Sequence, residues 1–160
     1  MKLRAGLGAF ITAVLLVATS IPTANAVKNP EDGTNCSSTV KKNALATVRG
    51  QSQAIAKQNF KTARSYSAAS FRAGVSVKDF TNIITQGYAF LGDAKTFAIV
   101  ECKTEGKSVS LAVEIIDRAN TTYYVFYLLA VQSKKELVAP NKTGYGIVAA
   151  QLAESTTPDA

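Results

Sequence analysis

The sequence contains no histidine. That removes the side chain that most often serves as general base or metal ligand, and with it every Ser-His and Cys-His arrangement for nucleophilic catalysis. Thiols are nearly as scarce: Cys36 and Cys102 are the only two. No paired-cysteine metal motif can be built from them, and no glycine-rich phosphate loop is present. The expectation is therefore no metal and no cofactor. Acidic residues are missing over a long stretch, since Gly33 to Lys78 holds eight basic residues and no acidic one. From Asp79 onward seven basic residues face nine acidic ones. The first half of the domain is thus a cation and the second half is nearly neutral.

A long apolar run is also missing. Lys2 and Arg4 precede an apolar stretch from Leu7 to Val17, broken at Gly8 and Thr12, and Pro22 and Ala24-Asn25-Ala26 follow. Spanning a bilayer takes about 20 apolar residues, so an uncleaved anchor is the weaker reading. The layout is that of a secretory signal peptide over 1–26, cleaved after Ala26. No cysteine sits just after the run, which argues against a lipid anchor. The expected location is secreted or extracytoplasmic. In that setting Cys36 and Cys102 are most simply one disulfide, worth about 4 kcal/mol in the chain-entropy account. Two separate buried thiols are the alternative.

Residues 27–37 carry Pro30, Asp32 and Gly33 with little apolar content and read as a flexible leader. One domain is expected over 38–151, with a disordered tail at 152–160. Ser37, Ser38 and Thr39 offer caps for a helix running to about Lys57. Val40, Ala44, Val48 and Ile55 share one face of it, while Lys42, Arg49 and Lys57 point the opposite way. Asn59 can cap a second, shorter helix with Phe60, Ala63 and Tyr66. Ser76 to Asp79 resembles a capping box, with Val75 and Phe80 as a hydrophobic staple. Phe80, Ile83 and Ile84 follow on one side, and Gly87 is a plausible stop.

Strands follow the helices. Thr96 to Lys103 is the first, turned by Glu105-Gly106. In the second, Val109, Leu111, Val113 and Ile115 alternate with Ser110, Ala112 and Glu114, so one face is buried. Arg118 to Thr121 reverses the chain into Tyr123 to Val131, which is apolar on both faces and belongs inside a sheet. Leu137 to Ala139 begins a fourth strand only to meet Pro140; Tyr145, Ile147 and Ala149 resume it. Pairing the first two strands sets Val100 beside Leu111 and Ala98 beside Val113. Cys102 then lies on the helix-facing side, where Cys36 can meet it.

Three helices followed by a four-stranded antiparallel meander resemble the cystatin-like, nuclear-transport-factor-like superfamily. The carrying residues are Val48 to Ile55, Gln58-Asn59-Phe60, Phe80 to Ile84, Val113 to Asp117, Tyr124 to Leu128 and Gly144 to Val148. The resemblance implies an α+β fold in which three N-terminal helices pack on a curved four-stranded sheet to form a cone. Its members include isomerases, dehydratases, transport adaptors and many secreted domains, so fold alone does not select a function.

Enzymes of that superfamily often use a carboxylate inside the cone. Asp117 shares the helix-facing parity of Val113 and Ile115 and is the candidate base, with Tyr124 as its hydrogen-bonding acid. The plainer account of Asp117 is that it begins a polar turn with Arg118 and Asn120. Glu114 and Glu101 fall on the other face. The basic helical surface is the better functional lead: Lys42, Arg49 and Lys57 would attract an anionic polymer or a membrane surface. Its bland counterpart is a solvated face that keeps the protein soluble. Nucleic acid is not an expected partner, because no stacking aromatics lie on that helix. Three sequons, at Asn35, Asn120 and Asn141, would matter only in a eukaryotic secretory pathway.

A tight turn at Arg118 to Thr121 would point Tyr124, Phe126 and Leu128 at the helices. Tyr123, Val125, Tyr127 and Leu129 would then form an exposed row beside Phe97, Ile99 and Ala112. Such a row would be covered by a second copy, giving a homodimer through the sheet face that Tyr127→Lys would break. The reading is a secreted binding or structural module. Its alternatives are a small pocket enzyme using Asp117 and an accessory or inhibitory domain for another exported protein.

Overall fold

Ser37 opens the first helix, its hydroxyl accepting from the Val40 amide. The structure, a computed structural model, describes residues 33–153. The expected signal peptide, most of the leader and the end of the tail lie outside the described residues. Within them the order is β1 (Thr34–Asn35), α1 (Ser38–Ala56), α2 (Phe60–Ser65), α3 (Ala69–Gly74), α4 (Val77–Gly87), a 3₁₀ turn (Ala89–Gly92), β2 (Ala94–Glu105), β3 (Ser108–Asp117), β4 (Thr122–Val131) and β5 (Tyr145–Leu152). The strands form one antiparallel sheet in the order β1-β2-β3-β4-β5. The fold is α+β.

Two elements exceed the sequence expectation of three helices and four strands. α3 lacks the usual local signal: its N-cap, Ala68, has no side chain to cap with. The Ala69 amide is instead taken by the Gln132 carboxamide oxygen, 2.8 Å away and 63 residues along the chain. β1 falls within the expected leader, yet Thr34 and Asn35 pair with Thr104 and Lys103. The disulfide holds it there, joining Cys36 to Cys102 across a separation of 66 residues. Leu137 to Ala139 forms no strand. The remaining caps are as read, with Asn59 accepting from Thr62 and Ser76 from Asp79.

Register is where the structure departs from the sequence reading. Arg118, Ala119 and Asn120 make a three-residue turn, because Asp117 donates its amide to Thr121 and Asn120 adopts φ 63°. That left-handed residue is tolerable for asparagine. The turn is one residue shorter than expected, and a one-residue change exchanges the two faces of a strand. Val113 therefore pairs with Val125 and Leu111 with Tyr127. Tyr123, Val125, Tyr127 and Leu129 face the helices; Tyr124, Phe126 and Leu128 face outward. Tyr127 is fully buried, so Tyr127→Lys would damage the core rather than report on an interface.

β2 is corrected in the same way. An irregularity between Ile99 and Glu101 pushes Val100 outward, 61% exposed, while Phe97 and Ile99 turn inward opposite Ile115 and Val113. Downstream of it Cys102 pairs with Leu111 and lies on the helix side, as expected. The core thus joins Ala44, Val48 and Ile55 of α1 to Val109, Leu111, Val113 and Ile115 of β3 and the inner row of β4. α1 also buries Thr47, Gln51 and Ser52. Ser52 donates to the Leu91 carbonyl at 2.6 Å and Gln51 to Ala63, so these polar groups fasten the helix to the loops around it.

Candidate functional site

The basic residues separate into two sets once folded. Arg64 and Arg72, between the short helices, are used internally. Arg64 donates to the carbonyls of Val75, at 2.6 Å, and Arg72. Arg72 donates to those of Ser67 and Glu136. Burial, followed by the Arg64 charge, holds the Arg72 guanidinium below its ordinary pKa. These two arginines satisfy backbone carbonyls around the short helices.

Lys42, Arg49 and Lys57 stay exposed along α1. Arg49 nevertheless reaches across to β2, where Nη2 donates to the Phe97 carbonyl at 3.1 Å and the guanidinium lies 5.9 Å from the Phe97 ring centroid. Beneath it opens a cleft of about 830 Å³ between α1, the end of the 3₁₀ turn, the start of β2 and the β3–β4 turn. Arg49, Lys57, Lys95 and Arg118 line it, and no carboxylate does. Lys42 does not line it and sits two turns up the helix. Lys95 and Arg118 were missed from sequence because they are far from α1 in the chain. No signal pointed to them, since both fall in the half of the chain where acidic residues outnumber basic ones.

Asp93 stands at the rim, 4.0 Å from Arg118. Both side chains are largely exposed, 70% and 74%, and a pair so exposed is weak. A second cavity of about 210 Å³ lies between α3, α4 and β5. It is lined mainly by Phe71, Phe80, Ile83, Ile84 and Ile147. Tyr88 closes one side by donating to the Ala150 carbonyl at 2.7 Å, and burial raises its phenol pKa.

The structure does not bring Asp117 and Tyr124 together. Asp117 is buried at the end of β3, its oxygens accepting from the Thr121 amide at 2.8 Å and the Tyr123 hydroxyl at 3.3 Å. Tyr123 is itself stacked on Phe90 at 4.0 Å. Tyr124 points from the opposite face and donates to Glu114 at 2.8 Å; that bond and the Glu114 charge raise its pKa. Asp117 is thus a turn-forming carboxylate. Glu101 pairs with Lys103 at 3.8 Å on the outer face. Among the described residues no group of three or more Cys, Asp or Glu is placed to hold a metal ion. Of the sequons, Asn35 and Asn120 are exposed, whereas Asn141 is buried and bonds Tyr145 and Thr143.

Helices on one face of an antiparallel sheet, with a basic cleft at one end of the helix layer, define a small α+β domain. The chain belongs to the family described as Domain of unknown function (DUF4864), which matches residues 38–138. The match begins with α1 and takes in all four cleft cations and Cys102, but neither Cys36 nor β5. Comparison with the curated proteins and with the solved structures finds no match. The disulfide is compatible with an oxidising, extracytoplasmic setting. No helix among the described residues is long and apolar enough to cross a membrane.

Proposed function

We propose that this protein is an exported binding module that holds an anionic component of the cell envelope through the basic face of α1. One observation carries the reading: Arg49 and Lys57 open onto a cleft that two further cations complete and no carboxylate lines. Four like charges gathered with only the weak, exposed Asp93 pairing of Arg118 to offset them raise the local potential and attract anions, an effect weakened by salt. Lys42 extends the positive face along the helix. Export rests on the amino-terminal sequence and agrees with the disulfide. The succession of helices and antiparallel meander supports the finer placement in the cystatin-like, nuclear-transport-factor-like superfamily.

The use of one Asp117 oxygen by its own turn and of the other by the Tyr123 hydroxyl of β4 favours binding over the enzyme reading. The test is retention of the mature protein on a polyanionic resin at low salt. Lys42, Arg49 and Lys57 changed together to Gln should elute at clearly lower salt than wild type. Equal elution, or wild-type retention indifferent to salt, would remove the reading.

A further inference from the structure

We propose, building on the anion-binding reading above, that the cleft between α1 and β2 recognises a phosphate group, with Lys57, Lys95 and Arg118 as its direct contacts. The cations stand on three separate elements: Arg49 and Lys57 on and just after α1, Lys95 in β2, and Arg118 in the β3–β4 turn. A carboxylate has two oxygens in one plane and is satisfied by a single guanidinium fork. A phosphoryl group sends its oxygens in tetrahedral directions and can accept from several walls at once. Donors spread over three walls fit the second shape. The volume, about 830 Å³, exceeds what a bare phosphate needs and lies in the range of sites that hold small molecules. The phosphate is therefore borne on something larger, either a lipid head group at a membrane surface or a soluble phosphorylated molecule.

Arg49 is a fixed part of the wall rather than a direct contact. Its bond to the Phe97 carbonyl and its place over the Phe97 ring hold it before any ligand arrives, so its charge costs no ordering on binding. Arg118 is free to turn inward, because its exposed pairing with Asp93 is long and weak. Thr96 and Gln53 add neutral hydrogen-bonding groups to the lining.

The experiment titrates the disulfide-bonded protein with inorganic phosphate and, at equal ionic strength, acetate, following backbone amide shifts. In parallel, flotation measures binding to phosphatidic acid vesicles and to phosphatidylcholine vesicles. Phosphate should shift the amides of Lys95 to Phe97 and of Arg118 where acetate does not. Lys95→Gln with Arg118→Gln should weaken the response roughly tenfold, as expected for two exposed charge contacts. Lys78→Gln, exposed on α4 and away from both the cleft and the basic face of α1, should leave it unchanged. Both substituted cleft residues are exposed, and an unchanged melting temperature shows the double variant folded.

Binding to phosphatidic acid vesicles that free phosphate cannot displace, lost in the double variant, supports the site with a lipid source. Displacement by free phosphate supports it with a soluble source. Phosphate acting no better than acetate, with neither vesicle bound, overturns it, as does a double variant that binds as wild type. If retention on polyglutamate persists in those cases, the general anion-binding reading stands and only the phosphate site falls. Loss of polyglutamate retention as well would remove both.

Discussion

Tyr127 carries its phenol oxygen into the core, where it finds no hydrogen-bonding partner among the described residues. Burial, with a smaller contribution from Tyr88, pushes its pKa well above the ordinary tyrosine value. An unpaired buried hydroxyl costs about 1–3 kcal/mol in lost solvation, whereas the ring supplies apolar contact that phenylalanine would keep. Tyr127→Phe should therefore leave stability at neutral pH unchanged or raise it by about 1 kcal/mol. The raised pKa also fixes a sign. A group that holds its proton more tightly when folded contributes fully below its unfolded pKa of about 10 and loses that contribution as pH climbs toward its folded pKa. Urea unfolding of wild type should weaken above that pH by up to about 1.4 kcal/mol per pH unit relative to the Phe variant. Parallel pH profiles for the two proteins would show that the phenol does not titrate as its burial demands.

Among the elements, β1 depends on tertiary structure more than any other. Two residues cannot hold a strand by themselves, and Thr34–Asn35 persists beside β2 because Cys36 is bonded to Cys102 and donates its amide to the Cys102 carbonyl at 3.1 Å. Cys36→Ser should lower stability by about 2–5 kcal/mol and open the β1–β2 pairing to hydrogen exchange. Native protein should take up thiol reagents only after reduction; ready labelling before it would contradict the bond. Other elements show how little a local signal says about facing. α4 follows its capping box closely, with Ser76 bonding the Asp79 amide and carboxylate and Phe80 and Ile84 buried. Ile83, expected on the same side, is 43% exposed at the mouth of the apolar cavity.

At the scale of the fold, the helices cover one side of the sheet and, among the described residues, leave the other open. The outer face presents Val100, Tyr124, Phe126 and Leu128, so an apolar surface exists even though the β4 residues forming it are not those expected. The expected homodimer now rests on this row, and its probe moves from Tyr127 to the half-buried Phe126. Sedimentation of the mature protein should show a dimer that Phe126→Lys converts to monomer while the far-ultraviolet spectrum is preserved. A wild-type monomer at high concentration would leave the outer face without a self-partner. The basic cleft opens at the junction of α1 and β2, so loss of the dimer should not alter anion binding.

Much of this protein was written locally. The starts of α1, α2 and α4 follow from the Ser37–Thr39 run, Asn59 and Ser76, because a side-chain cap satisfies an amide a few residues away. The alternation in β3 placed its inner row correctly, and the pairing of Cys36 with Cys102 followed from there being two thiols and one strand parity. What the chain could not state by itself was anything set by the exact count of residues in a turn or by a partner far along the sequence. β4 is apolar on both faces, so no pattern chose between its two rows; the left-handed Asn120 did, by making the turn three residues long. The bulge at Val100 reversed the upper part of β2 for a similar reason. α3 borrowed its cap from Gln132, and the candidate cleft drew Lys95 and Arg118 to Arg49 and Lys57 only when β2 and the β3–β4 turn were folded against α1. Helix caps and strand parity are short-range properties, whereas registers and clefts depend on contacts that exist only once distant segments have met.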